Sequence, residues 1–211
     1  ANGAGKSTLL KLLSGLYAPS AGRVLVDGVE MGQIDPRDLR RSIGWLGQDA
    51  RLFAGTLRDN LALHLLERDD GRLMAALDFA GLGPFVRAHP LGLDLPVLDG
   101  GEGLSVGQRQ SLGWARLWLQ DPAIALLDEP TAAFDQALET ALVSRLQGWL
   151  AGRTAVIATH RLPLVGLASR VFVLQNGQLA VDGPRDQVMA HLAGQGGAPG
   201  TRPQVVAARA P

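Results

Sequence analysis

The sequence contains no cysteine, and its formal net charge is zero. Each of these two facts argues against a class of binding site. Without cysteine the chain can form neither a disulfide nor a thiolate metal site. Its 20 Lys and Arg residues balance 20 Asp and Glu residues, and they form no dense basic cluster. This balance argues against a surface whose main role is to bind nucleic acid. No apolar run approaches the ~18 residues that would predict a membrane span.

What is present is typical of a folded α/β protein. The 211 residues are enough for one domain with a sizeable core and a subdomain. Apolar runs such as Ala123–Leu127 and Thr154–Ala158 are typical of buried parallel strands, and they alternate with amphipathic helices. We therefore predict an α/β core from residues 1–52 and 121–193. A mostly helical stretch, 53–120, interrupts it, and we predict a disordered tail over 194–211 because that stretch is rich in Gly, Pro and Ala.

The first residues, A-N-G-A-G-K-S-T-L-L-K-L-L, match the second half of a phosphate-binding loop that runs into a helix. The opening Gly of the full pattern would stand one residue before Ala1. Glycines let successive N–H groups point at a phosphate, and the helix adds the positive end of its dipole. Lys6 would reach the β- and γ-phosphates and Ser7 would bind magnesium. Alone, G-K-S is equally compatible with a Gly-rich surface turn. The candidate phosphate-binding residues are Asn2, Gly3, Ala4, Gly5, Lys6, Ser7 and Thr8.

A second signal is the apolar strand that closes on Asp128 and Glu129. Such a strand is the usual partner of a phosphate loop, since its Asp can hold magnesium and the next carboxylate can polarise the attacking water. A strand that simply ends in two solvated acids is an equally good interpretation of this segment alone.

Four further features are weak when taken singly. Leu104–Gln108 (L-S-V-G-Q) precedes a helix and forms either an anion-binding end or an ordinary helix cap. Gln48 and His160 each follow a strand, where a side chain can face a site, but a lone residue of either type is commonly structural. Asp135 is sufficiently explained as the N-cap of the helix after it.

These features are specific when they are taken together, because of their order along the chain: the phosphate loop, Gln48, Leu104–Gln108, the strand that ends in Asp128 and Glu129, Asp135 and His160. The chain resembles the ATP-binding cassette (ABC) ATPases from Ala1 to about Ala193, leaving only the tail outside. This resemblance implies an α/β P-loop NTPase (RecA-like) core with an inserted α-helical subdomain. It also implies ATP and Mg²⁺ as cofactors and ATP hydrolysis as the activity.

The resemblance assigns a role to each candidate. Glu129 corresponds to the catalytic carboxylate and His160 to the switch histidine that contacts the γ-phosphate. Gln48 corresponds to the residue that senses magnesium and water and couples to the membrane domain. Ser7, Gln48 and Asp128 would form the magnesium site.

Other matches imply a partner. Leu104–Gln108 corresponds to the family's signature, with Ser105, Gly107 and Gln108 as its ATP-contacting residues, and Asp135 corresponds to the D-loop aspartate. Because the signature of one subunit covers ATP bound to the phosphate loop of another, the implied working unit is a head-to-tail dimer with two ATP.

Two segments narrow the subfamily. Gln48–Asn60 is similar to the segment that follows this Gln in exporters, and Phe85–Leu95 is similar to type I secretion exporters. We therefore expect a transmembrane permease fused upstream, a location at the cytoplasmic face of the bacterial inner membrane, and polypeptide export. Nucleic acid is not an expected partner.

The chain departs from the family at several positions. Val106 stands where the signature has Gly, but it can still present its backbone N–H if its φ is negative. Asp99 replaces a Glu in the loop that contacts the membrane domain, and Ala132–Asp135 (A-A-F-D) replaces S-A-L-D. The strand before the phosphate loop is also missing, so we expect a fragment cut at its N-terminal side that has little or no ATPase activity alone.

Three other functions stay open at this stage. The domain could be a degenerate half-site that binds ATP as a regulatory module, although Gln48, Glu129 and His160 are retained. It could serve an exporter of lipids or drug-like molecules. It could also be a soluble ABC ATPase acting on ribosomes or DNA, which the neutral charge and the exporter-like segment disfavour.

Overall fold

A computed structural model describes residues 4–63, 69–194 and 205–209 of the chain. The helices are α1 (Lys6–Leu13), α2 (Pro36–Ser42), α3 (Leu57–Leu61), α4 (Asp70–Phe79), α5 (Gly83–Ala88), α6 (Val106–Gln120), α7 (Gln136–Trp149), α8 (Leu162–Val165) and α9 (Arg185–Gly194). The strands are β1 (Leu25–Val26), β2 (Val29–Glu30), β3 (Ile43–Leu46), β4 (Gly55–Thr56), β5 (Pro96–Val97), β6 (Ile124–Asp128), β7 (Thr154–Thr159), β8 (Arg170–Gln175), β9 (Gln178–Pro184) and β10 (Val205–Arg209). Short 3₁₀ turns occupy Met31–Gln33, Gly92–Asp94 and Asp99–Gly101.

The chain divides into two compact units. The first comprises Ala1–Trp45, Pro122–Pro130 and Trp149–Pro211, and the second comprises Leu46–Asp121 and Thr131–Gly148. The second unit includes 46–52 and 131–148, both of which the sequence predicts as parts of the α/β core. The stretch 131–148 belongs to the second unit because α7 packs against the helices of that unit. Leu142 and Leu146 of α7 are fully buried, and Arg145 donates to the Phe79 carbonyl at 3.0 Å.

The first unit is built on a six-stranded sheet in the order β3-β6-β7-β10-β8-β9. Strands β6 and β7 are parallel, with Ile124 opposite Thr154 and Asp128 opposite Ala158. Helix α1 packs against both of them and buries Leu10 completely. Since this helix follows the phosphate loop directly, its packing fixes the loop at the carboxyl ends of β6 and β7.

Two tight turns connect neighbouring antiparallel strands of the first unit. Asp27 and Gly28 connect β1 and β2, and both have positive φ, at 50° and 80°. Asn176 and Gly177 connect β8 and β9 in the same way, with φ of 51° and 76°. Such pairs favour tight hairpins because both central residues need positive φ.

The predicted disordered tail is wrong for Val205–Arg209. These residues form β10, which pairs antiparallel with β7 on one side and with β8 on the other. Val206 and Ala207 are completely buried. Composition misled the prediction, because a short apolar segment gains its strand conformation from two neighbouring strands rather than from its own sequence.

The second unit is organised around α6. Trp114 is fully buried and Trp118 partly so, and both rings pack on Phe79 of α4, with centroids 6.3 and 6.2 Å apart. Both tryptophans therefore pack in the core of this unit. None of the helices in the described ranges is both long and apolar enough to cross a membrane.

Candidate nucleotide site

The phosphate loop ends in a left-handed glycine. Gly5 precedes the first residue of α1 and has φ of 94°, a conformation that favours glycine. The Ala4 carbonyl accepts a hydrogen bond of 3.2 Å from the Gly177 backbone N–H, which ties the loop to the β8–β9 turn. Ser7 and Thr8 follow on the first turn of α1. Two predicted phosphate-binding residues, Asn2 and Gly3, lie outside the described residues.

Three of the predicted site residues meet at the carboxyl end of the sheet. Nζ of Lys6 lies 3.8 Å from a carboxylate oxygen of Glu129, and both side chains are about nine-tenths buried, at 11% and 12% exposed. Nδ1 of His160 lies 3.0 Å from the same carboxylate. Glu129 and His160 lie close together because they follow the neighbouring strands β6 and β7. The Glu129 N–H also donates to the Ala158 carbonyl of β7 at 2.8 Å.

Asp128 fits a magnesium site. It is the last residue of β6 and only 3% exposed, and in the described part of the chain its buried Oδ1 has no hydrogen-bond donor. A buried, unpaired carboxylate oxygen is costly unless a cation or an ordered water binds it. A carboxylate oxygen is the kind of ligand that Mg²⁺ takes when it also binds phosphate oxygens and water.

The signature segment caps α6 by a reciprocal pair of hydrogen bonds. The Gln108 N–H donates to Oγ of Ser105 at 3.1 Å, and the Ser105 N–H donates to Oε1 of Gln108 at 2.8 Å. Val106 is the first residue of α6, is 54% exposed and does not have positive φ. Its N–H therefore keeps the helical orientation despite the departure from Gly. At Gly107 a Cβ would stand 3.1 Å from the Ala133 carbonyl oxygen, so the close approach favours glycine.

The segment Thr131–Asp135, which we call the D-turn, is held by buried polar contacts. Oγ1 of Thr131 donates to Glu139 of α7 at 2.5 Å, and both residues are buried. Oε1 of Gln110, which is 3% exposed, accepts from the Ala133 N–H at 2.9 Å. Asp135 accepts from the Leu138 N–H at 2.8 Å and so caps α7 as predicted.

Arg116 holds the segment that follows Gln48. Its guanidinium donates to the carbonyl oxygens of Arg51 and Asn60 and to Oδ1 of Asn60, each at 2.6 Å. The cation also lies 5.8 Å from the centre of the Phe53 ring. Burial lowers the pKa of Arg116 to about 10, which still leaves it charged at neutral pH. Gln48 itself is exposed, two residues after β3.

The sequence did not single out Gln110, Glu139 or Arg116. Each is a polar residue on a helix, and on the sequence alone it reads as part of a solvated face. For Arg116, its position in the sequence could have indicated a structural role. It lies between Ala115 and Leu117, in the most apolar part of α6, where an exposed cation would not be expected.

Comparison with known proteins places this arrangement in a family. A sequence model of the ABC transporter family matches residues 1–132. Over 179 residues the chain is 37% identical to the cyclolysin secretion/processing ATP-binding protein CyaB of Bordetella pertussis (strain Tohama I), covering 85% of the chain and 25% of that protein. Over 179 residues it is 41% identical to the ATP-dependent lipid A-core flippase of Burkholderia pseudomallei, covering 84% of the chain and 30% of that protein.

A solved structure agrees over almost the whole chain. The fold matches a bacterial Atm1-family ABC exporter with ATP bound, at a TM-score of 0.86 and 30% sequence identity. The match covers 95% of this chain but 36% of that one. The chain therefore spans about a quarter to a third of the length of the proteins that it resembles.

Proposed function

Because the chain belongs to the ABC transporter family, we propose that it is the ATP-hydrolysing domain of an exporter. The observation that carries this proposal is the meeting of Lys6, Glu129 and His160 at the carboxyl end of the sheet, beside the buried Asp128. A degenerate domain that only binds nucleotide has no need to keep this carboxylate and its two partners in contact.

We assign the phosphates of ATP to the loop that ends at Gly5 and to the first turn of α1. Backbone N–H groups there and the helix dipole favour an anion. Lys6 would exchange its contact with Glu129 for the β- and γ-phosphates, which carry more negative charge. Ser7 and the free Oδ1 of Asp128 would hold Mg²⁺, which would neutralise charge on the phosphates when bound.

Glu129 would then act on the attacking water. Its carboxylate, released from Lys6, can accept a hydrogen bond from water in line with the γ-phosphate. His160 is 44% exposed on its side chain, so it can both orient Glu129 and reach a phosphate oxygen. In this mechanism the protein contributes position and charge stabilisation rather than covalent chemistry.

The second unit supplies residues that we assign to a partner's nucleotide. Ser105, Gly107, Gln108 and Asp135 would contact ATP held by another copy of the domain in a head-to-tail dimer. The capping box at Ser105 supports this, because it preorganises the first turn of α6, and the N-terminal end of a helix favours an anion. Gln48 would sense magnesium and water and couple hydrolysis to a transmembrane permease fused upstream, at the cytoplasmic face of the bacterial inner membrane.

For the cargo we propose polypeptides exported by type I secretion. The similarity of Phe85–Leu95 to that subfamily supports it, and so does the 37% identity to an ATP-binding protein whose name specifies cyclolysin secretion. Lipid export is the second candidate, favoured by the 41% identity to an ATP-dependent lipid A-core flippase.

The test is Glu129→Gln in the complete protein that carries this chain. The amide keeps the size of the side chain but cannot polarise water as a carboxylate does, so we expect the hydrolysis rate to fall by a factor on the order of 10² or more. Binding of ATP should persist, measured with a fluorescent ATP analogue. Glu30→Gln, at an exposed position on β2, is the matched control and should hydrolyse normally. Wild-type turnover by Glu129→Gln would refute the assigned mechanism.

A further inference from the structure

Gln110 is a buried polar side chain that the mechanism described so far does not use. It lies on α6, the helix that begins at the signature segment, and it is 3% exposed. Taking an amide out of water is costly unless its polar atoms form hydrogen bonds. Oε1 of Gln110 accepts a hydrogen bond of 2.9 Å from the Ala133 N–H in the D-turn. The buried amide therefore joins the helix of the signature segment to the turn that ends at Asp135.

A second contact brings the same two elements together. Gly107 and Gln110 are three positions apart on α6, so they lie on the same face of the helix. A Cβ added at Gly107 would stand 3.1 Å from the Ala133 carbonyl oxygen, so the backbone of the D-turn lies close against α6 at this point. Both backbone groups of Ala133 thus approach α6, because its C=O lies against Gly107 and its N–H is bound by Gln110.

The D-turn is also held to α7, and these contacts do not involve Gln110. Oγ1 of Thr131 donates to Oε1 of Glu139 at 2.5 Å, and Asp135 accepts from the Leu138 N–H at 2.8 Å. The D-turn should therefore keep its own conformation when the side chain of Gln110 is removed. What the removal takes away is the hydrogen bond that fixes the turn relative to the signature segment.

The exposed residues of these two elements are among those that we assign to a partner's nucleotide. Ser105 of the signature segment and Asp135 of the D-turn are both exposed. Gln110, Thr131 and Glu139, which hold the D-turn in place, are buried. The two exposed residues thus stand on buried hydrogen bonds, which rigidify the elements that they join when every polar group is satisfied.

We propose that Gln110 is a positioning residue that fixes the D-turn to the signature segment, so that Ser105 and Asp135 reach the ATP of a partner copy together. This role rests on the proposed function, because it requires the head-to-tail dimer. Gln110 itself contacts no nucleotide in this scheme. Its effect falls on the partner's nucleotide, whereas the phosphate loop of its own copy belongs to the first compact unit and keeps its affinity.

The kinetics of Gln110→Leu in the complete protein that carries this chain give the first test. Leu has a similar volume but no acceptor for the Ala133 N–H. A misplacement of about 1 Å can lower a rate on the order of 10²-fold. Because the D-turn keeps its contacts with α7, we expect a smaller fall in kcat, of about tenfold. Binding of a fluorescent ADP analogue, which probes the phosphate loop, should stay within about twofold of the wild type.

Matched variants control for the change of side chain. Gln110→Glu retains acceptor oxygens and should recover part of the lost kcat. Gln147→Leu makes the same change on the exposed face of α7 and should hydrolyse ATP normally. If Gln110→Leu does not fold, Gln110→Asn takes its place, since it keeps the amide but withdraws the oxygen from the Ala133 N–H by one methylene group.

Mixing two defective copies shows in which site Gln110 acts. Gln110→Leu is mixed with an equal amount of Lys6→Ala, whose phosphate loop is disabled but whose signature segment and D-turn are intact. In each mixed dimer the phosphate loop of the Gln110→Leu copy meets the intact elements of the other copy. An effect on the partner's ATP should therefore give about a quarter of the wild-type rate. An effect on the copy's own phosphate loop, or on its folding, would leave only about a twentieth.

A second mixture provides the control. Gln110→Leu and Ser105→Arg both alter the elements that face the partner, so no site in their mixed dimers is intact and the rate should stay near about a twentieth of the wild type. A rate equally low in the mixture with Lys6→Ala, a normal kcat of Gln110→Leu, or weakened ADP binding would overturn the role of Gln110.

The mixture of Lys6→Ala with Ser105→Arg separates this failure from a failure of the proposed function. Recovery there, without recovery in the mixture of Lys6→Ala with Gln110→Leu, would keep the dimer and refute only the role of Gln110. Recovery in neither mixture, with subunit exchange verified, would refute the head-to-tail dimer and the role of Gln110 with it.

Discussion

Glu129 combines three features that rarely coincide in one residue. Its side chain contacts Lys6 and His160, it is only 12% exposed, and its backbone has φ of 46°. The left-handed region costs a non-glycine residue about 1 kcal/mol or more. Strain of this kind persists where the surroundings impose it, and it concentrates at active sites. The backbone of Glu129 thus supports the catalytic role that we propose for its side chain.

Arg116 is a residue outside the nucleotide site whose loss should be costly. Arg116→Met fits the space but leaves the carbonyl oxygens of Arg51 and Asn60 without their donor. Asn60 is completely buried, and an unpaired buried acceptor costs about 1–3 kcal/mol, whereas Arg51 is exposed and its carbonyl can bind water instead. We therefore expect the free energy of unfolding to fall by about 1–3 kcal/mol. Chemical denaturation of the 211-residue chain measures this change.

Two further variants distinguish the contribution of the several hydrogen bonds of the Arg116 guanidinium, which we call the fork, from the contribution of its charge. Arg116→Lys keeps the charge but presents a single point donor in place of the fork, so it should recover only part of the lost stability. Arg37→Met, at an exposed position, should stay within about 0.5 kcal/mol of the wild type. A loss no larger in Arg116→Met than in Arg37→Met would show that the fork contributes nothing.

At the scale of single elements, sequence was informative wherever local chemistry decides the conformation. Asp135 caps α7 by accepting from the Leu138 N–H at 2.8 Å, as predicted. Asp35 caps α2 in a similar way, by accepting from the Arg37 N–H at 2.7 Å, and Asn176-Gly177 forms the turn between β8 and β9. The strand β10 could not be predicted, because what makes it a strand is its pairing with β7 and β8, whose paired residues lie 32 to 54 positions earlier in the chain. The contact of Gln110 with Ala133 also depends on tertiary packing and leaves no local signature.

The D-turn gives a prediction at the same scale. Gln110→Leu keeps the volume of the side chain but removes the acceptor of the Ala133 N–H, so we expect a loss of about 1–3 kcal/mol in the free energy of unfolding. Gln110→Glu retains an acceptor and should lose less. Gln147→Leu, on the exposed face of α7, is the control and should be near neutral. Equal stabilities of Gln110→Leu and Gln147→Leu, measured by denaturation, would show that the Ala133 N–H has another partner.

At the scale of the whole molecule, the candidate residues divide between the two compact units. Lys6, Asp128, Glu129 and His160 belong to the first unit. The signature segment Leu104–Gln108 and Asp135 belong to the second. The first set contacts one nucleotide and its water in our mechanism, whereas the second set is assigned to a nucleotide held by a partner copy. A head-to-tail dimer would then combine one set from each copy, giving two composite sites.

Mixing two defective copies tests this dimer. In the complete protein, Lys6→Ala disables the phosphate loop and Ser105→Arg disables the signature, so each variant alone should be inactive. Random pairing makes half of the dimers mixed, and each mixed dimer has one intact site, so the mixture should recover about a quarter of the wild-type rate. Mixing Lys6→Ala with Glu129→Gln is the control: these residues lie 3.8 Å apart in one copy, so no site is restored. Absence of recovery in the first mixture, with subunit exchange verified by fluorescence transfer, would mean that the signature does not act on the partner's ATP.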